Sequence, residues 1–187
     1  MVRIMIGAAL LAAMSVVTPI SAADSDACLA KGDRIGAFYV TKVAGADKDG
    51  VEAGQELCYR CRYGNRPMVM VFSRKSSDKL NQLISQLNDA VEANSSAELK
   101  GLVTLMGGDS DSLRKEAKKL ASSTSVSNIP VTVANDIENG PKNYKLDPQA
   151  DVTVVVASSS KVVATHAFNS DAIDVAAVLA EVKNAVK

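Results

Sequence analysis

A continuously apolar segment at residues 68–72 (MVMVF) is the feature of this sequence that most constrains its fold. A short run without polar residues is typical of a strand buried on both faces, as in a parallel sheet covered by helices. An amphipathic pattern follows it. Ser76 or Ser77 can cap a helix, and Asp78 suits the positive end of its dipole. The apolar residues of this helix recur at helical spacing: Leu80, Leu83, Ile84, Leu87 and Val91. We therefore predict a strand followed by a helix, the repeating unit of an α/β protein.

The same alternation continues to the end of the chain. After this first pair we predict a strand at 102–106, a helix opening at 109–112, a strand at 131–134, a helical turn around 140–146, a hairpin of strands at 152–157 and 162–168, and a closing helix from 170. Two extended segments, 35–43 and 56–62, precede the first core strand. Strand–helix–strand units need right-handed crossovers and a parallel core. The order predicts a mixed sheet with helices on both faces.

The first 23 residues have the pattern of a secretory signal. Arg3 supplies a positive charge, residues 4–17 are apolar, and small residues precede an abrupt polar segment. The apolar run is shorter than the ~20 residues that a membrane span needs, which favours cleavage over a retained anchor. We therefore expect a signal peptide at 1–23, a single domain at 24–187, and an exported protein that is periplasmic or secreted.

The charge balance argues against some classes of partner. The chain has 21 basic and 21 acidic residues, and removal of the signal takes Arg3 alone, so 20 basic residues then face 21 acidic ones. This balance gives no electrostatic reason to expect nucleic acid or an anionic membrane as a partner. The chain has no tryptophan and few aromatic residues, which argues against a surface that stacks on bases or sugars. We expect no integral membrane segment after cleavage.

Three cysteines remain after cleavage: Cys28, Cys58 and Cys61. Export would place them in an oxidising compartment, where disulfides persist. An odd number leaves one thiol free, paired with another molecule or engaged with a ligand. Cys58 and Cys61 have CxxC spacing, which is typical of redox or metal sites when it opens a helix or a tight turn.

One interpretation of this CxxC is a redox-active pair. The nearby Arg60, Arg62 and Arg66 would lower the thiol pKa and support a thiolate. The flanking segment 56–62 looks extended, however, and residues three apart in a strand point to opposite faces. A turn within the motif would be needed to join the two sulfurs.

Two other interpretations stay open. The motif can form a structural disulfide, in which Cys58 pairs with Cys61 or one of them pairs with Cys28. It can also bind a metal, but two thiolates need further ligands and only Cys28 and His166 are available. We therefore expect no metal and no cofactor. His166 is expected to be a structural histidine, since no cysteine or serine near it in sequence suggests a catalytic triad.

The loop at residues 45–56 partly matches a calcium-binding loop. Asp47, Asp49, Gly50 and Glu56 fall at spaced positions of that pattern. The first ligand position falls on Gly45, which has no side-chain oxygen. A plain solvated acidic loop is the favoured interpretation.

Three stretches of the chain resemble the thioredoxin-like superfamily, in the form found in peroxiredoxins and exported thiol-disulfide oxidoreductases. Residues 66–72 resemble its first core strand, residues 129–136 with 144–146 resemble a peroxiredoxin stretch, and residues 152–156 with 161–163 resemble its closing hairpin. The resemblance implies a thioredoxin-like α/β fold: a mixed central sheet flanked by helices, with an N-terminal strand extension. It also implies disulfide exchange with thiol- or disulfide-bearing proteins.

The chain departs from this family at the usual active site. There a reactive cysteine follows the first core strand at the start of the next helix, but residues 73–77 read SRKSS. A cis-proline usually precedes the hairpin strand, and the matching position here is Val152. We therefore expect any chemistry at a displaced site, with Cys58 as the attacking cysteine and Cys61 as the resolving one, and we do not expect a peroxidase. The alternative is a redox-silent binding or structural domain in which the cysteines form a structural disulfide.

Overall fold

The computed structural model describes residues 28–187, and the predicted signal peptide lies outside these residues. The described residues form a sheet of seven strands with flanking helices. The strands are β1 (Val40–Ala44), β2 (Glu56–Leu57), β3 (Met68–Ser73), β4 (Lys100–Leu105), β5 (Val131–Ala134), β6 (Val152–Ser158) and β7 (Lys161–Phe168). The helices are α1 (Tyr59–Tyr63), α2 (Asp78–Ala93), α3 (Ser110–Thr124) and α4 (Val175–Ala185), with 3₁₀ turns at Ser95–Ala97 and Lys142–Tyr144.

The strand order confirms the predicted mixed sheet. The order is β2-β1-β5-β4-β3-β6-β7, with β3, β4 and β5 parallel at the centre. On one side, β6 and β7 form the predicted antiparallel hairpin, and β6 pairs antiparallel with β3. On the other side, β1 pairs antiparallel with β5, and β2 extends the sheet beyond β1. The N-terminal strands therefore extend the sheet at the edge opposite the hairpin.

The prediction of an extended segment at 56–62 was wrong beyond its first two residues. Only Glu56 and Leu57 are in a strand, and the chain then turns into α1. The predicted strand at 35–43 is also shorter than expected, because regular pairing begins at Val40.

The central strand β3 is buried on both faces, as its apolar run predicted. Val69 and Val71 belong to one hydrophobic cluster, while Met68, Met70 and Phe72 belong to another on the opposite face. Helices α2, α3 and α4 supply the first cluster. The second is covered by α1, by the segment that precedes β1 and by the 3₁₀ turn that contains Tyr144. The small helix α1 is therefore part of the second core.

Side-chain caps define where the longer helices begin. The Ser77 hydroxyl accepts a hydrogen bond from the Leu80 N–H at 3.1 Å, which confirms one of the two predicted caps of α2. Helix α4 begins later than predicted, because Asp174 caps it by accepting from the Ala177 N–H at 2.9 Å. Within residues 28–187, no helix has the length and apolar character needed to cross a bilayer.

Gly101 in β4 is a position where the core tolerates no added atom. A Cβ built there would lie 2.6 Å from Ile129 Cγ1 and 2.7 Å from Ile129 Cδ1. We predict that Gly101→Ala lowers the free energy of unfolding by about 1–3 kcal/mol, because both residues are buried and Ile129 has to move. Urea denaturation followed by circular dichroism measures this change.

Gly108 provides the matched control for this substitution. A Cβ there would meet Leu113 only at 3.5 Å, an ordinary contact distance. Gly108→Ala is expected to stay within about 0.5 kcal/mol of the wild type. Equal stability losses in the two variants would contradict the packing argument.

Candidate functional site

The two motif cysteines lie at the start of helix α1. Cys58 is the N-cap residue, and its sulfur is bonded to that of Cys61 at 2.12 Å, with the two Cα atoms 5.3 Å apart. The helical turn places residues three apart on the same face, which a strand would not do. The turn that the sequence required within the motif is therefore present. The Cys61 N–H also donates a hydrogen bond to Cys58 Sγ at 3.1 Å.

The two cysteines differ in their exposure to solvent. Cys58 is 8% exposed and is followed by Tyr59, a member of the second core, whereas Cys61 is exposed. Cys28, the other candidate partner, is a half-buried free thiol within the described residues. The disulfide therefore joins one buried and one exposed cysteine.

Tyr59 anchors the motif to the loop between β1 and β2. Its side chain is buried, and its hydroxyl donates to Asp49 Oδ2 at 2.6 Å. The other carboxylate oxygen, Asp49 Oδ1, accepts from the Val51 N–H at 2.8 Å and from Lys42 Nζ at 2.7 Å. The residue that directly follows Cys58 is therefore held by a carboxylate whose own position is set by the loop.

Lys42 is the charge at the centre of this arrangement. Its side chain is only 4% exposed, and its ammonium donates to Ala46 O, Asp49 Oδ1 and Val51 O at 2.7–3.1 Å. A buried ammonium is tolerated when its donors are all engaged and a carboxylate balances its charge. Lys42 thus supplies the cation around which this loop folds, in the region where the sequence partly matched a calcium loop.

Lys42, Asp49 and Tyr59 form a hydrogen-bonded network, and its contacts determine the pKa values of Asp49 and Tyr59. Burial alone would raise the pKa of Asp49, but hydrogen bonds from Lys42, Tyr59 and the Val51 N–H, with the Lys42 charge, together hold it below its ordinary value. Burial and the neighbouring Asp49 carboxylate raise the pKa of the Tyr59 hydroxyl far above its ordinary value. At neutral pH Asp49 is therefore a carboxylate, and Tyr59 is a neutral phenol that donates its proton to it.

Arg60, inside the motif, anchors α1 on its other side. Its guanidinium donates to Ile35 O at 3.2 Å and to Ser160 Oγ at 2.7 Å. Ser160 in turn donates to Asn65 Oδ1 at 2.6 Å. The two central residues of the CxxC therefore bind opposite parts of the fold, the β1–β2 loop and the β6–β7 turn.

The other two arginines also bind oxygen acceptors. Arg62 donates to the backbone carbonyl of Asp49 at 2.6 Å. Arg66 pairs with Glu98 at 2.9 Å and donates to the Tyr63 carbonyl at 3.1 Å. Their charges lie close to the motif along the chain, but these hydrogen bonds run to oxygen rather than sulfur. Support of a thiolate by Arg60, Arg62 and Arg66 stays a prediction.

The position of the usual family cysteine lies at the other end of β3. The Ser73 hydroxyl is buried and donates to Lys75 O at 2.8 Å, and Lys75 pairs with Asp151 at 2.8 Å. A hydrogen bond from Lys75 lowers the pKa of Asp151. Arg74, Lys75 and Asp151 line an open cleft of about 760 Å³. Val152, where the family pattern places a cis-proline, pairs with Ser73, and no peptide bond within residues 28–187 is cis.

His166 lies apart from the motif, in β7. Its ring stacks on Phe168 with centroids 5.7 Å apart, and its buried Nε2 has no hydrogen-bond partner among the described residues. The sequence suggested no role for Lys42 or Tyr59, and it suggested Asp49 only as a position of a partial calcium-loop pattern. A lysine within an apolar strand pattern, with an aspartate seven residues later, is the signal that could have found the pair.

The sheet order, the closing hairpin and the helices on the first face define a thioredoxin-like fold, and solved structures share it. A candidate thiol:disulfide interchange protein DsbE from Chlorobium tepidum superposes with a TM-score of 0.59 at 16% identity, over 85% of this chain and 99% of that one. The AhpC protein of Mycobacterium bovis gives 0.59 at 17% identity, over 83% and 92% of the two chains. The pneumococcal exposed lipoprotein thioredoxin Etrx1 gives 0.55 at 17% identity, over 80% and 99%.

Comparison of the sequence with known proteins gives no match, in contrast to the comparison of structures. No protein-family profile matches the chain, and no curated protein matches it. The structural neighbours therefore establish the fold of this chain and not its chemistry.

Removal of the Lys42 ammonium tests how much its pair with Asp49 stabilises the fold. We predict that Lys42→Met lowers the free energy of unfolding by about 3 kcal/mol, because the Asp49 carboxylate would keep its partly buried position without a counter-charge. Chemical denaturation measures the loss. Glu98→Gln is the matched control, since its pair with Arg66 is largely exposed and should contribute less than about 1 kcal/mol. Comparable losses in both variants would contradict a special role for Lys42.

The lowered pKa of Asp49 predicts a dependence of stability on acid. A carboxyl group whose pKa is lower in the folded state stabilises the fold fully above its unfolded value, about 3.9. That stabilisation is lost as the pH falls through the lower folded pKa. The free energy of unfolding should therefore drop between roughly pH 5 and pH 2, and drop less steeply in Asp49→Asn. Urea titrations across this range measure both slopes, and equal slopes would refute the assignment.

Proposed function

We propose that this protein exchanges disulfides with thiol-bearing proteins through the Cys58–Cys61 pair. The observation that carries the proposal is a disulfide that opens a short helix and presents one of its two cysteines, Cys61, at the surface. Exposed disulfides are more easily reduced than buried ones and are the ones used in regulation and catalysis. The pair is therefore placed to meet a thiol from another molecule.

The short spacing of the pair also favours exchange over a stabilising staple. The disulfide closes a loop with a sequence separation of 3. In the chain-entropy account, a loop this small contributes only roughly 2 kcal/mol to stability, less than the longer loops closed by most structural disulfides. Tyr59 and Arg60 already fix the helix by hydrogen bonds to separate parts of the fold. Stability alone is therefore a weak reason for this bond.

We also propose that the protein is exported. The N-terminal 23 residues have the features of a secretory signal, and the mature domain would begin near residue 24. A periplasmic or secreted location would supply the oxidising conditions in which the pair forms. The partners would be thiol- or disulfide-bearing proteins, and the balanced charge gives nucleic acid no reason to bind. Among structural neighbours, the DsbE protein carries thiol:disulfide interchange in its name.

A redox-silent binding domain is the second candidate function. The cleft at the carboxyl end of β3 supports it, because its position in a parallel sheet is the usual one for ligands, and Arg74 and Lys75 line it in place of a cysteine. On this account the Cys58–Cys61 bond is a structural disulfide. The chemistry of the pair separates the two candidates.

Catalysed disulfide transfer is the direct test. We predict that the mature oxidised protein accelerates disulfide formation in a synthetic peptide with two cysteines, in a glutathione buffer. Cys58→Ser and Cys61→Ser should each reduce the rate to that of buffer alone, since both sulfurs are needed to carry a disulfide. Chromatography of quenched samples measures the oxidised peptide.

Cys28→Ser is the control for this assay. Cys28 is a free thiol in the described structure, so its removal should leave the rate unchanged. A wild-type protein that gives no acceleration would leave the binding function as the supported one.

A further inference from the structure

We propose that Cys61, rather than Cys58, is the cysteine attacked by the incoming thiolate, and that the pair works as an oxidant of exposed thiols. This inference rests on the proposed disulfide exchange and assigns its direction and its sulfur atoms. The order of the motif alone predicts Cys58 as the reacting residue, but the burial of the two cysteines and one hydrogen bond point to the reverse.

Access decides which sulfur a thiolate reaches. The attacking sulfur approaches a disulfide from the side opposite the bond that breaks, so it needs open space behind the sulfur it attacks. Cys61 is exposed, while Cys58, the N-cap residue of α1, is only 8% exposed. The neighbouring Tyr59 and Tyr63 side chains are fully or nearly fully buried in that core. A protein-bound thiolate can therefore reach Cys61 without unfolding the helix.

The leaving sulfur has a hydrogen-bond donor already in place. The Cys61 N–H donates to Cys58 Sγ at 3.1 Å, and a donor to sulfur favours the thiolate form. A better-stabilised leaving thiolate departs faster in thiol–disulfide exchange. The donor belongs to the backbone of α1, which Tyr59 and Arg60 hold on both sides. It should therefore stay in position when the bond between the two sulfurs breaks.

The exchange then proceeds in two balanced steps. The substrate thiolate forms a bond to Cys61 Sγ, the Cys58–Cys61 bond breaks, and its electron pair leaves on Cys58 as a thiolate. A second substrate thiolate attacks the substrate sulfur of the mixed disulfide, which releases an oxidised substrate and leaves Cys61 as a thiolate. The substrate loses two electrons and the pair gains them. A separate disulfide-bearing oxidant has to restore the Cys58–Cys61 bond after each turnover.

Reduced glutathione is a suitable probe of the attacked atom. The oxidised mature protein, carrying Cys28→Ser so that only the motif cysteines react, would be mixed with glutathione, quenched rapidly in acid and alkylated. Peptide mass spectrometry then reports which cysteine carries glutathione. We expect about tenfold more adduct on Cys61 than on Cys58, with Cys58 alkylated. Adduct mainly on Cys58 would overturn this inference while leaving disulfide exchange intact.

The remaining outcomes separate the inference from the proposed function. A disulfide that stays intact at all glutathione concentrations would overturn both. If the pair is reduced before any adduct is trapped, single-cysteine proteins decide the matter. In the Cys28→Ser background, oxidised glutathione should modify Cys61 of Cys58→Ser about tenfold faster than Cys58 of Cys61→Ser. Equal or reversed rates would refute the assignment, and near-ultraviolet circular dichroism verifies that both variants remain folded.

Discussion

The buried ammonium of Lys42 is the interaction on which the site depends. It donates hydrogen bonds to two backbone carbonyls and to the Asp49 carboxylate, all in a loop that has no regular secondary structure. The other oxygen of that carboxylate binds the Tyr59 hydroxyl, inside the CxxC motif. A charged pair with little solvent contact is costly unless its polar atoms have partners, so the contacts that satisfy Lys42 and Asp49 also tie the loop to the motif. The position of the disulfide is thus set by an ion pair that contains neither sulfur.

The cysteine pair and the position where the resemblance placed a reactive cysteine lie at opposite ends of β3. Cys58 and Cys61 lie next to the beginning of β3, where Arg60 meets the β6–β7 turn. Residues 73–77, where the resemblance placed a reactive cysteine, lie at the other end of that strand. Strand β3, which has six residues and is roughly 16 Å long, runs between them. Redox chemistry at Cys58–Cys61 would therefore be independent of the cleft beside Arg74 and Lys75, and that cleft is free for a different use.

The parts of the fold that could be predicted are those with a strong periodic pattern. The run at 68–72 predicted a doubly buried strand because a segment without polar residues has no face to present to water. Helix α2 was predictable from its spacing and its serine cap. The buried face of α4 was not predictable, because its sequence is apolar on most sides; Val178 and Val182 are among the residues that the structure buries. Where nearly every position is apolar, packing against the sheet decides which ones are buried.

The sequence predicted which two cysteines form the candidate site, but not the helix that carries them or their exposure to solvent. Helix α1 has five residues and too little length to show a period, and its formation depends on Tyr59 and Arg60 meeting partners up to 100 positions away. No local pattern contains that information. The exposure of the cysteines has the same origin, because it depends on which side of the turn faces the second core. The order of the motif therefore predicted Cys58 as the attacking cysteine. Only the three-dimensional environment distinguishes the two sulfurs.

The midpoint potential of the Cys58–Cys61 couple distinguishes an exchanging pair from a structural disulfide. The mature protein would be equilibrated in graded glutathione buffers, its free thiols trapped by alkylation, and the modified cysteines mapped by mass spectrometry. An exchanging pair should titrate between roughly −120 and −270 mV, the range of working oxidoreductases. A bond that resists reduction below about −300 mV would be a structural disulfide, and would contradict disulfide exchange at Cys58 and Cys61.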